Sequence, residues 1–380
     1  MSPRFIERVK IKNYKSIKEC DIELQDLTFL VGPNGSGKSN FLDAIKFVSD
    51  AIRIDLDYAF SKRGSFMDVL RKNSIQNNNM QFEFKLNLKN DIKVFYFVKI
   101  EFEANNGYFV AEEFCQVDFE DKICFFEVKN RQIKCNININ LPAFKEKRFY
   151  LSIISFIKEF EIINDFFENL EIYNINPDII RKNQDPSSEY HLRRQGENIT
   201  SILKNTPSKY LKWIEEFMDV MTLNATPFKV ISLGNKEMLE FTPKKLDNKM
   251  NFYANNMSEG TLRILGILTA LFQQNENESK KLNFVGIEEP EAALHPWAVG
   301  ALLDAFRIAS DQKQVIVASH SPELLDRKDI NINSLLIVNS INGETIIGPM
   351  GKGAQSILKE RICTAGELLR QNQLEPDTAA

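Results

Sequence analysis

The chain is short of histidine, with three in 380 residues, and its five cysteines are odd in number. Cys20, Cys115, Cys124, Cys135 and Cys363 show no C-x-x-C spacing, and with His191, His295 and His320 they form no zinc pattern. Neither a disulfide framework nor a structural zinc is expected; buried free thiols in a reducing cytosol are. No run of about 18 uncharged apolar residues occurs, and Met1-Ser2-Pro3-Arg4-Phe5 lacks an apolar signal core. The expectation is a cytoplasmic protein with no membrane contact. No charge of one sign dominates either: a net charge of −4 does not advertise a nucleic-acid binder, although a local basic groove fits inside a near-neutral total. DNA binding stays possible. No heptads run for several repeats, which argues against a long coiled-coil arm.

Hydrophobic residues at 43% and 29 phenylalanines are enough for a substantial aromatic core. The length suggests two lobes at about 150 residues per domain. The stretch Phe29 to Ile45 stands out. Gly32, Gly37, Lys38 and Ser39 fit G-x-x-x-x-G-K-[ST], with an apolar strand before and a helical apolar face (Phe41, Leu42, Ile45) after. In such a loop, Asn34, Gly35, Ser36 and Gly37 turn backbone N–H groups around an anion and the helix start adds its positive dipole end. Lys38 reaches the β/γ-phosphates of ATP, and Ser39 ligates Mg²⁺ through its hydroxyl.

Alternation from Phe5 to Cys20 predicts strands with a turn around Asn13, followed by a strand over 21–24 and a buried strand over 28–31 that feeds the loop. A helix continues over 42–54, and Ser61 to Phe66 reads as an irregular connection. From Met80 to about Cys135, alternating runs such as Phe82-Phe84-Leu86-Leu88 and Phe109-Phe114-Val117 predict antiparallel hairpins, with turns at Lys89-Asn90-Asp91 and Asn105-Asn106-Gly107. Residues 136–222 turn helical, notably 151–170 and 210–221, around a mobile polar loop at Asn183 to Ser188. Strands are expected over 228–233 and 238–243, a helix from Ser258, a short apolar strand in the stretch from Leu282 to Pro296 that ends in three acids, a helix over 297–308 and a strand over 314–318. Two strands, a last helix over 357–369 and a frayed tail from Gln373 close the chain. The organisation is an α/β fold in three parts: an N-terminal lobe (1–135) with the loop and a β layer, a helical insertion (136–225), and a C-terminal lobe (226–380).

The short apolar strand that opens at Leu282 ends in three acids, and strand ends are where open α/β sheets place ligands. Mg²⁺ on a nucleotide needs an acidic second anchor and the attacking water needs a base. Glu288 is the candidate metal ligand and Glu289, one residue on, the candidate general base. Glu291 is left between a structural role and support of the metal. His320 follows a buried strand and precedes Pro322, so it can project towards a γ-phosphate. The case for His295 is weaker, and His191 reads as a solvated loop residue. Ser258-Glu259-Gly260 opens a helix and offers a second anion site, with Ser258 as its N-cap.

In this order the motifs resemble those of the SMC/RecF-like branch of the ABC-type ATPases, in the compact AAA-type group related to the OLD ATPases. The resemblance rests on Ile11 to Ile17, Gly32 to Ser39, Met257 to Arg263 as signature motif, Ile287 to Pro296 as Walker B with D-loop, and Ser319 to Pro322 as switch histidine. It covers both ends of the chain; the stretch from about 80 to 255 matches only in layout. It implies an ABC-type P-loop ATPase head that forms a homodimer, or a higher even-numbered oligomer, around two ATP molecules. Each would be held by one copy's loop and the other's Ser258, Glu259 and Gly260, with Lys15 and Ser16 near the nucleotide. Lys38, Glu289 and His320 would be the catalytic set. Two departures are Met-Ser-Glu-Gly at the signature and Glu288 where Asp is commoner. Gln81 and Gln76 are candidates for the Q-loop. By analogy, ATP-driven dimerisation would control a separate effector such as a Toprim-like or HNH nuclease in anti-phage defence, since only about sixty residues follow His320, too few for a nuclease domain. The alternatives are a RecF-like ATPase on duplex DNA and a nucleotide-gated scaffold that scarcely hydrolyses.

Overall fold

Period-two alternation builds the first large layer. Strand β1 (Ile6–Tyr14) turns through Lys15 and Ser16 into β2 (Ile17–Glu23), with Asn13 and Lys15 at positive φ. After β3 (Leu27–Val31) come α1 (Lys38–Arg53), α2 (Leu56–Ser61) and α3 (Phe66–Val69), and the expected irregular connection runs over residues 62–65 between the last two. Strands β4 (Asn79–Leu88), β5 (Ile92–Glu103), β6 (Gly107–Asp118), β7 (Ile123–Lys129) and β8 (Gln132–Cys135) complete a seven-stranded antiparallel sheet in the order β2-β1-β4-β5-β6-β7-β8. Helix α1 packs its aromatic face on this sheet. Phe47 meets Phe82 at 5.5 Å and Tyr14 at 5.7 Å between ring centroids.

The structure, a computed structural model, describes residues 5–72, 78–88, 91–103, 107–222, 227–242, 251–274, 280–327 and 330–377. The candidates Gln76, Lys89, Asn90, Asn105, Asn106 and Pro243 lie outside the described residues. Contacts divide the chain into two units. The first comprises Met1–Leu170, Asn331–Gln355 and Leu374–Ala380, the second Glu171–Ile330 and Ser356–Gln373.

Strand β6 departs from simple alternation. The register of β5 and β6 shifts between Lys99 and Ile100, where Val110 and Glu112 face successive residues and Ala111 is extra. A one-residue bulge moves every later side chain to the other face. Glu113, Cys115 and Val117 therefore point inward, whereas Phe114, expected inside, is only half-buried. Glu113 is 1% exposed and accepts from Tyr96 Oη at 3.0 Å and from the N–H groups of Tyr150 and Leu151. Those two amides open α4 (Tyr150–Ile153), which is followed by α5 (Lys158–Glu168); the single helix expected over 151–170 is broken at 154–157.

Strand β9 (Leu170–Tyr173) starts at the boundary between the units. The second unit continues with α6 (Pro177–Ile180), α7 (Ile199–Asn205), α8 (Ser208–Met221), and the small sheet β10 (Phe228–Leu233), β11 (Lys236–Phe241) and β12 (Phe252–Tyr253). The loop at 183–188, expected to be mobile, is tied down: Gln184 is buried and exchanges both backbone hydrogen bonds with Glu237 at 2.8 Å. Next come α9 (Glu259–Phe272), β13 (Phe284–Glu288), α10 (Ala298–Ser310), β14 (Gln314–Ser319) and α11 (Pro322–Leu325). β13 pairs in parallel with β14 and has β9 on its other side. All five residues of β13 and all six of β14 are buried, as expected of parallel strands covered on both faces.

The chain then returns to the first unit as β15 (Leu335–Ile341) and β16 (Glu344–Pro349), with β15 parallel to β3 and antiparallel to β16. The last helix is two, α12 (Lys352–Lys359) and α13 (Ala365–Arg370). The described end of the expected frayed tail is anchored: Leu374 is buried and Pro376 bridges Met350.

Candidate functional site

The phosphate loop leaves β3 at Gly32 and enters α1 at Lys38. Two glycines are dictated by their surroundings. A Cβ on Gly32 would fall 1.9 Å from the carbonyl oxygen of Val338, and one on Gly37, at φ +108, would fall 1.9 Å from Thr345 Oγ1. Gly37 stands at the N-cap of α1, and no side chain caps that helix. Its first N–H groups suit an anion. Lys38 is 6% exposed and donates to the carbonyls of Gly32 at 2.7 Å and Pro33 at 2.9 Å, so the ammonium is folded over the loop. Asn34, Gly35 and Ser39 are exposed, whereas the Ser36 hydroxyl is buried with no hydrogen-bond partner. This set fits a phosphate chain: a cation, helix-start amides that no side chain caps, an orphan hydroxyl and an accessible Ser39 Oγ for a hard metal ion.

Around it lies a buried charge network. Asp43 on α1 accepts from Lys15 Nζ at 2.6 Å, Tyr14 Oη at 2.7 Å and Arg63 Nε at 2.8 Å, and Arg63 also reaches Asp50 at 3.1 Å. Burial pushes the Asp43 carboxyl up, but Arg63 and Lys15 outweigh it and hold it below the ordinary range. Burial and the Asp43 charge raise Tyr14 well above an ordinary phenol. Lys15 is thus fixed to α1 five residues past Lys38. Ser16 contacts Asn40 and Thr345, both at 2.6 Å. The predicted residues Lys15, Ser16 and Asn34 to Ser39 are therefore brought together in the first unit.

The second unit gathers the others. Ser258 caps α9 through the N–H of Thr261 at 3.2 Å, and both Ser258 and Glu259 are exposed. A Cβ on Gly260 would fall 2.7 Å from the carbonyl of Ala293, so the helix start lies against the turn that follows the acids. Glu288, 5% exposed at the end of β13, accepts from Asn174 Nδ2 at 3.1 Å and from Arg194 Nη2 at 3.2 and 3.3 Å. Glu289 leaves the strand at φ +46, its N–H held by the Ala318 carbonyl at 2.8 Å, and its side chain is half-exposed. A non-glycine residue in this region is a strained position of the kind found at functional sites. Glu291 accepts from Ser319 Oγ at 2.6 Å and from the His320 N–H at 3.4 Å. His320 Nδ1 has no hydrogen-bond partner and stands 3.8 Å from Glu289 and 3.9 Å from Glu291. Glu291 thus supports the histidine. His295 is exposed beside Trp297, and His191 Nε2 contacts the Lys280 carbonyl at 2.8 Å.

A family profile described as "AAA ATPase domain" matches residues 5–325. This chain belongs to the AAA ATPase domain family. Within that family it is an SMC/RecF-like, OLD-related member. It is 22% identical over 347 residues to the OLD nuclease of Thermus scotoductus, covering 84% of this chain and 60% of that protein. It is 36% identical over 84 residues to the chromosome partition protein Smc of Methanocaldococcus jannaschii, covering 19% of this chain and 7% of that protein. It is 49% identical over 41 residues to the replication and repair protein RecF of Vibrio cholerae, a tenth of either chain. The chain spans less than two thirds of the length of each. Among solved structures, an Smc head bound to the C-winged helix domain of ScpA aligns with TM-score 0.56 at 16% identity, over 93% of this chain and all of that one. The Pyrococcus furiosus Smc head with an extended coiled coil, bound to the ScpA C-terminal domain, aligns with TM-score 0.54 at 14% identity, over 94% and 99%. The fold is that of an ABC-type ATPase head.

In this AAA ATPase domain the Q-loop candidate Gln81 lies on β4 with its amide on Asn79 at 3.0 Å. Among the described residues there is no cluster of three His, Cys, Asp or Glu for a metal, and no helix is long and apolar enough to cross a membrane. Asn174, Arg194 and Thr345 escape sequence reasoning, because each meets its partner far along the chain and none sits in a motif; Arg63 lies nearer its acids but likewise in no motif.

Proposed function

We propose that this chain binds ATP with Mg²⁺ and hydrolyses it, and that ATP joins two copies of the chain. The observation that carries the reading is the phosphate loop: Gly37 turned left-handed into α1, with the buried Lys38 ammonium folded over the loop carbonyls. Lys38 and the helix-start amides take the phosphates. Ser39 and Glu288 would hold Mg²⁺, which supplies charge neutralisation on the β/γ-phosphates. Glu289 takes a proton from the attacking water, and His320, steadied through its backbone by Glu291, donates a hydrogen bond to the γ-phosphate. The exposed Ser258 and Glu259, with Gly260, serve the loop of a second copy, which supports a homodimer or a higher even-numbered oligomer.

Nucleotide-driven dimerisation would control a partner effector, with a Toprim-like or HNH nuclease in anti-phage defence as the reading. Its support is the similarity to a protein named OLD nuclease across 84% of this chain. The short similarity to RecF motivates the second reading, binding of duplex DNA. Salt-dependent DNA affinity that stimulates hydrolysis would favour it, and no binding at low salt would remove it. The primary test compares ATP turnover of wild type, Lys38→Ala and Glu289→Gln. Hydrolysis by wild type and a loss of about 10²-fold or more in each variant are expected. Absence of ATP binding by wild type would overturn the reading, and binding without turnover would leave the scaffold.

A further inference from the structure

Thr345 is 1% exposed on β16 and belongs to none of the nucleotide motifs. Its hydroxyl donates to the Ser36 carbonyl of the phosphate loop at 2.9 Å. The same oxygen is 2.6 Å from Ser16 Oγ, which is itself 2.6 Å from Asn40 Nδ2. A hydroxyl has one proton to give. That of Thr345 is spent on Ser36, so the proton between Ser16 and Thr345 belongs to Ser16, and Ser16 accepts from Asn40. With the Asn40 amide turned the other way, one of the three contacts would have no hydrogen. The chain therefore runs in one direction, from the Asn40 amide through the Ser16 and Thr345 hydroxyls to the Ser36 carbonyl. Bonds aligned in this way reinforce one another. The Thr345 N–H also donates to the Ser16 carbonyl at 2.9 Å, and Arg71 donates to that carbonyl at 2.6 Å while reaching Glu344 at 3.1 Å.

We infer that Thr345 is a positioning residue for the phosphate loop, and that Ser16 acts through it rather than by donating to the nucleotide. In a trans peptide the C=O and the following N–H point in opposite directions. Holding the Ser36 carbonyl on Thr345 therefore aims the Gly37 N–H away from Thr345. Gly37 and Thr345 fit reciprocally, since the Thr345 hydroxyl occupies the place of a side chain at 37. The inference rests on the proposal that this loop binds nucleotide.

The test is calorimetric titration with ADP and Mg²⁺, which involves no turnover, on wild type, Thr345→Val, Thr345→Ser, Ser16→Ala and Ser16→Ala/Thr345→Val. Thr345→Val keeps the shape but leaves the Ser36 carbonyl without its donor, and roughly 10-fold weaker ADP binding is expected. Thr345→Ser should stay within about two-fold of wild type, because it keeps the hydroxyl. The double variant should bind about as well as Thr345→Val alone, because the Ser16 effect passes through Thr345. ATP turnover should show the loss in KM and leave kcat nearly unchanged. Wild-type affinity in Thr345→Val, failure of Thr345→Ser to restore binding, or additive losses in the double variant would each overturn the inference. No ADP binding by wild type would instead remove the nucleotide reading itself.

Discussion

Arg194 donates to both carboxylate oxygens of Glu288, at 3.2 and 3.3 Å, although Arg194 is half-exposed and Glu288 is buried at the end of β13. The acid proposed for the metal is therefore engaged by a cation of its own chain. A buried carboxylate needs such compensation, and a divalent ion and a guanidinium would compete for it. Arg194→Ala should lower stability in EDTA by about 1–2 kcal/mol and lower the Mg²⁺ concentration needed for half-maximal ADP binding. Thermal unfolding and ADP titrations across Mg²⁺ concentrations check both effects. An unchanged Mg²⁺ requirement would show that Arg194 does not compete.

Arg63 holds two buried carboxylates at once, Asp43 and Asp50. Its side chain is 7% exposed and theirs 12% and 4%, so solvent does little to screen the triad. Arg63→Ala should cost about 3 kcal/mol in urea unfolding, because two buried carboxylates lose a shared partner while Asp43 keeps Lys15 and Tyr14 and Asp50 keeps Lys46. Arg63→Lys should recover only part of it, lacking the fork that reaches both acids.

Glu113 gives the fold a pH dependence. Burial raises its carboxyl to about 7, against an ordinary 4.5, although the Leu151 and Tyr150 amides and Tyr96 pull the other way. Because the folded value lies above the unfolded one, the folded state favours the protonated acid. Its contribution is intact below about pH 4.5 and is lost as pH rises towards 7, with a total on the order of 3 kcal/mol. Glu113→Gln should flatten this part of the stability profile. Urea unfolding at pH 5, 6, 7 and 8 checks it, and parallel profiles for the two proteins would refute it.

Short-range signals carried most of what the sequence revealed. Gly32 to Ser39 is a local pattern, and Ser258 caps the turn that starts beside it. The residues that escaped notice act over long separations: Thr345 meets Ser36 across 309 positions and Arg194 meets Glu288 across 94. Glu113 was hidden for a different reason. The bulge at Ala111 leaves no mark in composition, yet it turns an acid inward and Phe114 outward. The helix break at 154–157 was also invisible, because apolar residues continue at helical spacing through it; the break at 360–364 carried a local mark that went unread, the capping box of Thr364 and Glu367 that starts α13.

In the proposed dimer, ATP occupies the loop of one copy and joins it to another. Sedimentation of Glu289→Gln with ATP and Mg²⁺ tests it most directly, because hydrolysis is removed while the binding residues remain. A shift from the 43.8 kDa chain to twice that mass, or a higher even multiple, is expected, reversed by adding Lys38→Ala. A protein that stays monomeric at saturating ATP would contradict it.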